Sequence, residues 1–65
     1  MKIVLDLFIE EELDAYWGTV KYDDQTMVAV APSTEKLDTV VRRLLYVFHN
    51  LSFESIELKP TFINE

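Results

Sequence analysis

The stretch Pro32 to Phe48, PSTEKLDTVVRRLLYVF, is the segment that decides the fold. Its apolar residues recur three or four positions apart, as on one face of a helix. With one residue beyond the stretch, they are Leu37, Val40, Val41, Leu44, Leu45, Phe48 and Leu51. Ser33 or Thr34 can cap the start, and Asn50 can adopt the left-handed conformation that ends many helices. The stretch therefore predicts one amphipathic helix.

Period-two alternation predicts strands on both sides of this helix. The strands are expected over Lys2 to Ile9, Ala15 to Tyr22, Thr26 to Ala31 and, after the helix, Phe53 to Lys59. Glu10 to Asp14 and Asp23 to Gln25 are short polar connections, while Pro32 and Pro60 should end strands because proline has no N–H for the ladder. We expect a single α+β domain over residues 1–65, in the order β-β-β-α-β. Its sheet would be antiparallel, with three or four strands and one helix on one face.

One helix covers only one face of such a sheet, so the two faces should differ. The face toward the helix is expected to hold Ile3, Leu5, Leu7, Val20, Tyr22, Val28, Val30, Ile56 and Leu58. The outer face is expected to hold Val4, Phe8, Trp17, Met27 and Ala29. A contiguous apolar patch of that kind typically marks an interface. Gly18, inside the second strand, predicts a bulge or a place where another backbone comes close.

The charge of the chain limits its partners. Its 65 residues carry twelve acidic and six basic side chains, a formal net charge of −6. Binding a phosphate backbone needs clustered Lys and Arg, and the only adjacent basic pair is Arg42-Arg43, so we expect no direct nucleic-acid binding. An acidic surface suits a basic protein partner, although it also serves simply to keep a small domain soluble. No apolar run approaches the ~20 residues of a membrane span, and we expect a cytoplasmic protein without membrane contact.

Catalytic and cofactor chemistry has little support in the sequence. The absence of cysteine excludes disulfides, thiolate metal sites and a cysteine nucleophile, and the single histidine, His49, has no nucleophile motif to work with. We therefore expect no enzyme activity and no cofactor. The acidic run from Glu10 to Asp14 is open to three interpretations: a solvated loop, a divalent-cation site or a docking surface for a basic partner. Trp17 is either ordinary packing or the anchor of a protein interface, where Trp is enriched.

Two segments of the chain resemble a known family. IEEELDAYWGTVKY, Ile9 to Tyr22, leads through an acidic hairpin into an aromatic strand start, and Pro32 to Phe48 follows the third strand. In this pattern and order the chain resembles the HicB-like antitoxin family. The resemblance implies a partial ribonuclease-H-like fold without catalytic carboxylates, and a role in masking a small basic ribonuclease toxin. Leu13-Asp14 stands where the family usually has a glycine. The DNA-binding domain of many members has no counterpart in these residues, so operator binding is not implied.

The leading hypothesis is therefore a small acidic, non-enzymatic protein-interaction module, similar to an HicB-like antitoxin, that masks a basic ribonuclease toxin. The alternative is an acidic nucleic-acid mimic that inhibits a nucleic-acid-binding protein. We also expect a homodimer, because a second copy could bury the outer face or extend the sheet. The residues expected to bind a partner are Val4, Phe8, Trp17, Met27, Glu10, Glu11, Glu12 and Asp14.

Overall fold

Four strands and one long helix form the fold in the computed structural model, which describes residues 2–63. In chain order the elements are β1 (Ile3–Glu12), β2 (Ala15–Tyr22), β3 (Gln25–Ala31), α1 (Thr34–His49), a short 3-10 turn (Phe53–Ser55) and β4 (Ile56–Phe62). The strands make one sheet in the order β3-β2-β1-β4, and α1 packs on one of its faces. The predicted α+β class and the β-β-β-α-β order are confirmed.

The sheet is mixed rather than wholly antiparallel. β1, β2 and β3 form an antiparallel meander, in which Val20 of β2 lies between Leu7 and Met27. β4 runs parallel to β1, with Leu58 opposite Leu5. The expectation of an antiparallel sheet was wrong for this last strand. The expectation failed because α1 carries the chain back along the sheet to the end at which β3 starts. β4 therefore runs in the same direction as β3, and β3 itself runs parallel to β1.

Both hairpins turn within two residues. Leu13 and Asp14 join β1 to β2, Asp23 and Asp24 join β2 to β3, and their φ angles lie between 51° and 63°. Such left-handed pairs are typical of type I′ turns, whose twist matches the twist of the flanking strands. β1 therefore continues to Glu12, beyond its predicted end, and most of the acidic run is strand rather than loop.

The ends of α1 lie where the capping residues predicted them. Ser33 is extended, and its Oγ accepts a hydrogen bond from the Lys36 N–H at 3.2 Å. Asn50 is left-handed, with φ 56°, and its N–H donates to the Tyr46 carbonyl at 3.0 Å. These contacts satisfy backbone groups that a helix end otherwise leaves unpaired.

The core lies between α1 and the middle of the sheet. Leu37, Val41 and Leu45 project from the helix and are at most 1% exposed. They pack with Leu7 of β1 and Val20 of β2. The buried cluster is completed by Ile9, Ala29, Ala31 and Ile56. Burial of these aliphatic side chains is the main source of stability in a chain this short.

The two faces of β3 are the reverse of those predicted. Met27 and Ala29 lie toward the helix, whereas Val28 and Val30 are on the outer face, 56% and 49% exposed. The prediction was wrong because it counted Gln25 as part of a three-residue turn. The turn has two residues, so Gln25 belongs to the strand. A shift of one residue exchanges the faces of a strand.

Two further expectations were wrong at the margins of the sheet. Pro60 was expected to end the last strand, but β4 continues through it. The Ile63 N–H donates to the Ile9 carbonyl at 2.8 Å, and N–H groups alternate in direction along a strand, so position 60 faces away from β1.

Phe48 was expected in the buried stripe of the helix, but it is 66% exposed and lies beside the start of β3.

Candidate protein-binding face of the sheet

An apolar patch covers the solvent side of the sheet, opposite α1. We call it the outer patch, and it consists of Phe8, Trp17, Val28, Val30 and Ile63. Strand pairing places these side chains side by side: Thr19 lies between Phe8 and Val28, and Trp17 is opposite Val30. Because side chains alternate between faces, residues from neighbouring strands meet here without any contribution from the helix.

The outer patch is accessible over a large part of each side chain. Phe8 and Trp17 are 43% and 44% exposed, although both are aromatic and lie in the two central strands. Single apolar side chains are common on protein surfaces, but contiguous groups of them mark sites that bind something. The backbone that carries the rings is fixed by strand pairing, so the patch can bury apolar area against a partner without rearranging the fold.

Two carboxylates border the outer patch near the β1–β2 hairpin. Glu10 is directly opposite Trp17 on the neighbouring strand. Glu10 and Glu12 line a shallow groove of about 340 Å³ together with Phe8 and Trp17. This end of the face therefore combines aromatic surface with negative charge. Cationic side chains of a partner are favoured in such a setting, by charge and by contact with aromatic rings.

The other end of the outer face carries lysines as well as carboxylates. Lys59 of β4 is opposite Asp6 of β1. Lys21 lies two positions after Thr19 in β2 and so shares its face. Asp6 and Glu57 share this end of the outer face with the two lysines, so charges of both signs are present here, whereas Glu10 and Glu12 near the hairpin are both acidic. The difference between an acidic end and an end of mixed charge can orient a partner as well as attract it.

The remaining acidic residues of the run do not join this group. Glu11 pairs with Tyr16 and projects to the opposite side of the sheet from Glu10, and Asp14 lies in the hairpin turn. The period of the strand thus splits the run that the sequence presents as one cluster. Within residues 2–63, no three His, Asp or Glu side chains come close enough together to hold a metal ion.

The predicted partner-binding residues are only partly brought together. Val4 lies on the outer face and is 50% exposed, but Asp6 separates it from the outer patch. Met27 is on the helix side, so its placement in an outer binding face was wrong. The sequence did not predict that Val28 and Val30 belong to the outer patch, because β3 is apolar on both faces. It also did not predict a third member of the patch. That member is Ile63, which follows a strand that was expected to stop at Pro60.

His49 is a packing residue in this fold. Its ring meets Tyr22 edge-on, with the ring centroids 4.9 Å apart and the planes at 79°. Its Nε2 is buried, and no described residue forms a hydrogen bond with it. The residue is half-buried under this contact.

Comparison with known proteins leaves the outer patch as the main guide to function. No family model matches the chain, and neither does a curated protein or a solved structure. No helix within residues 2–63 combines the length and the apolar character needed to cross a membrane. The chemistry available for a functional interpretation is therefore that of a rigid, half-exposed aromatic surface with carboxylates at one end.

Proposed function

We propose that this chain is a non-enzymatic protein-interaction module whose outer patch binds a basic protein. The observation that carries the proposal is the placement of Phe8 and Trp17 beside Glu10 on the solvent face of the sheet. In the bound state the two rings would be buried against the partner. The neighbouring carboxylates would face its Lys or Arg side chains.

Trp17 supports this proposal because it has the properties of a binding hot spot. Trp and Tyr dominate the residues whose truncation costs most at interfaces, and such residues lie near the centre of the contact. Trp17 occupies a central strand, with Val30 on one side and Glu10 on the other. Its position in a paired strand also means that the backbone at Trp17 is already ordered before binding.

The charge around the outer patch favours a protein partner over a nucleic acid. Aromatic rings on a sheet can stack with bases, but such sites also need cations that contact the phosphates. Here Glu10 and Glu12 border the rings, and the whole chain has a net charge of −6. Lys21 and Lys59 on the same face also interrupt any continuous row of carboxylates, which argues against mimicry of a phosphate backbone.

The resemblance to HicB-like antitoxins gives this module a specific form. The partner would then be a small basic ribonuclease toxin, and binding would cover the surface that the toxin uses on RNA. Masking of this kind needs no catalytic group in the antitoxin. It needs only a sufficient contact area and a charge complementary to that of the toxin. The acidic end of the outer face supplies the charge, and the outer patch supplies the area.

Affinity capture from the native cell, followed by binding measurements on the recovered protein, tests this proposal. We expect wild-type bait to recover a basic protein. Trp17→Ala should weaken its binding by about 2 kcal/mol, roughly 30-fold. Glu10→Gln with Glu12→Gln should slow association and flatten its salt dependence, because these charges attract the partner before contact. If the partner is a ribonuclease, wild-type chain should inhibit its cleavage of RNA.

Val47→Ala is the matched control, because Val47 is 65% exposed on α1, away from the outer face. This variant should bind like wild type. Equal binding by the wild type and Trp17→Ala would contradict the proposal, as would a partner that loses affinity only for the Val47 variant. Each variant must first show a wild-type circular-dichroism melt, so that unfolding is not mistaken for lost binding.

A further inference from the structure

The sheet has two edges, and one of them is blocked at its centre. β4 is the edge strand on one side, and its outward-facing backbone positions alternate with those that bond β1. The Ile63 N–H donates toward β1, so positions 62, 60 and 58 face outward. The middle position of these is Pro60, which has no N–H to give. A strand added at this edge would lack a central hydrogen bond.

The other edge, formed by β3, is open. The two-residue turn at Asp23 and Asp24 makes Tyr22 and Gln25 a hydrogen-bonded pair, and such pairs alternate along an antiparallel ladder. The backbone groups that point away from β2 therefore belong to Thr26, Val28 and Val30. The strand carries no charge, proline or glycine, the devices by which exposed edges usually avoid pairing.

We propose that a second copy of this chain pairs with β3, antiparallel and about a two-fold axis at Val28. Val28 would face its own counterpart, and Thr26 would face Val30 of the other copy. About six backbone hydrogen bonds would form, two for each pair of outward-facing residues. Even-numbered residues would stay on the outer face in both copies, so each helix would remain on the same side of one eight-stranded sheet. No charged side chains would oppose each other between Gln25 and Ala31.

Phe48 supplies a second, independent reason for this partner. It is 66% exposed and lines a groove at the start of β3 with Gln25, Thr26 and Met27. Leu44 and Val40 lie one and two turns before it on the same side of α1 and are only half-buried. A second copy at the β3 edge would bring its own helix alongside and cover this stripe.

The pairing uses a different surface from the proposed binding of a basic protein and does not depend on it. It would leave Phe8 and Trp17 open and join the two outer patches at Val28. It also has a distinctive salt dependence. Each copy carries a net charge of −6, and the paired segment itself carries none, so added salt should strengthen self-association by screening repulsion between the copies.

Light scattering and amide hydrogen exchange on the purified chain test this proposal. We expect a concentration-dependent species of twice 7.6 kDa, favoured by salt. In a monomer, the amides of Thr26, Val28 and Val30 would exchange quickly while those of Met27 and Ala29, bonded to β2, exchanged slowly. In the proposed dimer all five should be protected, and dilution should release only the first three.

Thr26→Pro removes an outward N–H while leaving the ladder to β2 intact, and it should weaken self-association at least tenfold. Phe62→Pro is the matched control, because it removes an outward N–H from the β4 edge and should leave the dimer unchanged. A chain that stays monomeric at millimolar concentration would overturn the proposal. So would a dimer in which Thr26, Val28 and Val30 exchange quickly. The exchange measurement on wild type needs no variant, so a Thr26→Pro chain that fails to fold leaves the test intact.

Discussion

Gly18 lies directly beneath Leu37: a Cβ built on Gly18 would be 3.0 Å from Leu37 Cδ2 and 3.0 Å from Leu7 Cδ1. The strand is regular at this point, with Gly18 between Ile9 and Ala29. The glycine therefore marks neither a bulge nor a close backbone, the two possibilities that the sequence suggested. It makes room for a leucine of α1 that is fully buried.

Gly18→Ala should lower the free energy of unfolding by about 1–2 kcal/mol, because the added methyl overpacks the contact between sheet and helix. Chemical denaturation followed by circular dichroism measures this. Thr19→Ala, at the next position of the strand and on its outer face, is the control and should lower the free energy of unfolding by less. A Gly18→Ala midpoint equal to wild type would show that α1 shifts freely on the sheet.

Arg42 ties α1 to the start of β4. Its Nε donates to Asp38 Oδ1 at 2.6 Å, and its Nη1 donates to the carbonyls of Phe53 and Ile56, both at 2.7 Å. The ion pair with Asp38 is partly exposed, so it contributes little by itself. The hydrogen bonds to the two carbonyls hold the 3-10 turn and the first residue of β4 against the helix.

Arg42→Ala should therefore destabilise the fold by about 2 kcal/mol, whereas Asp38→Asn should cost less than about 1 kcal/mol. Arg42→Lys should recover only part of the loss, since one ammonium group cannot reproduce the planar fork of donors. Urea denaturation of the three variants gives the order of their losses in unfolding free energy. Equal losses for Arg42→Ala and Asp38→Asn would show that the ion pair, and not the carbonyl contacts, supplies the stability.

The turn between β1 and β2 places a leucine in a left-handed conformation. Leu13 has φ 51° and is 92% exposed, so no side-chain contact compensates for the backbone cost. Leu13→Asn combined with Asp14→Gly should raise the free energy of unfolding by about 1 kcal/mol, because Asn-Gly suits a type I′ turn. A thermal melt measures the change. An unchanged or lower melting temperature would contradict the left-handed geometry of this turn.

Local signals were sufficient to predict most of the fold. The leucine stripe and the caps Ser33 and Asn50 placed α1 almost to the residue, because helix periodicity and capping are encoded within a few positions. The direction of β4 was not predicted, since it depends on how α1 returns the chain across the sheet. Leu13-Asp14 was not recognised as a two-residue turn because it lacks the Asn or Gly that usually marks one.

The outer patch was predicted in part. Phe8 and Trp17 followed from strict alternation in strands whose other face is apolar. Val28 and Val30 did not, because β3 is apolar at nearly every position and alternation alone cannot choose its buried face. The useful signal was the turn: with a two-residue connection, buried Val20 must oppose Met27 and so directs Met27 inward.

Trp17 is the only tryptophan in the chain, so it reports directly on whether the outer patch is the binding face. The measurement is ¹⁹F NMR of chain labelled with 5-fluorotryptophan, free and in complex with the unlabelled partner recovered by capture. We predict that the single resonance shifts on binding and loses its difference between H₂O and D₂O, because the ring leaves solvent. A complex of the correct mass in which the resonance and its solvent dependence stay unchanged would contradict a binding role for this face.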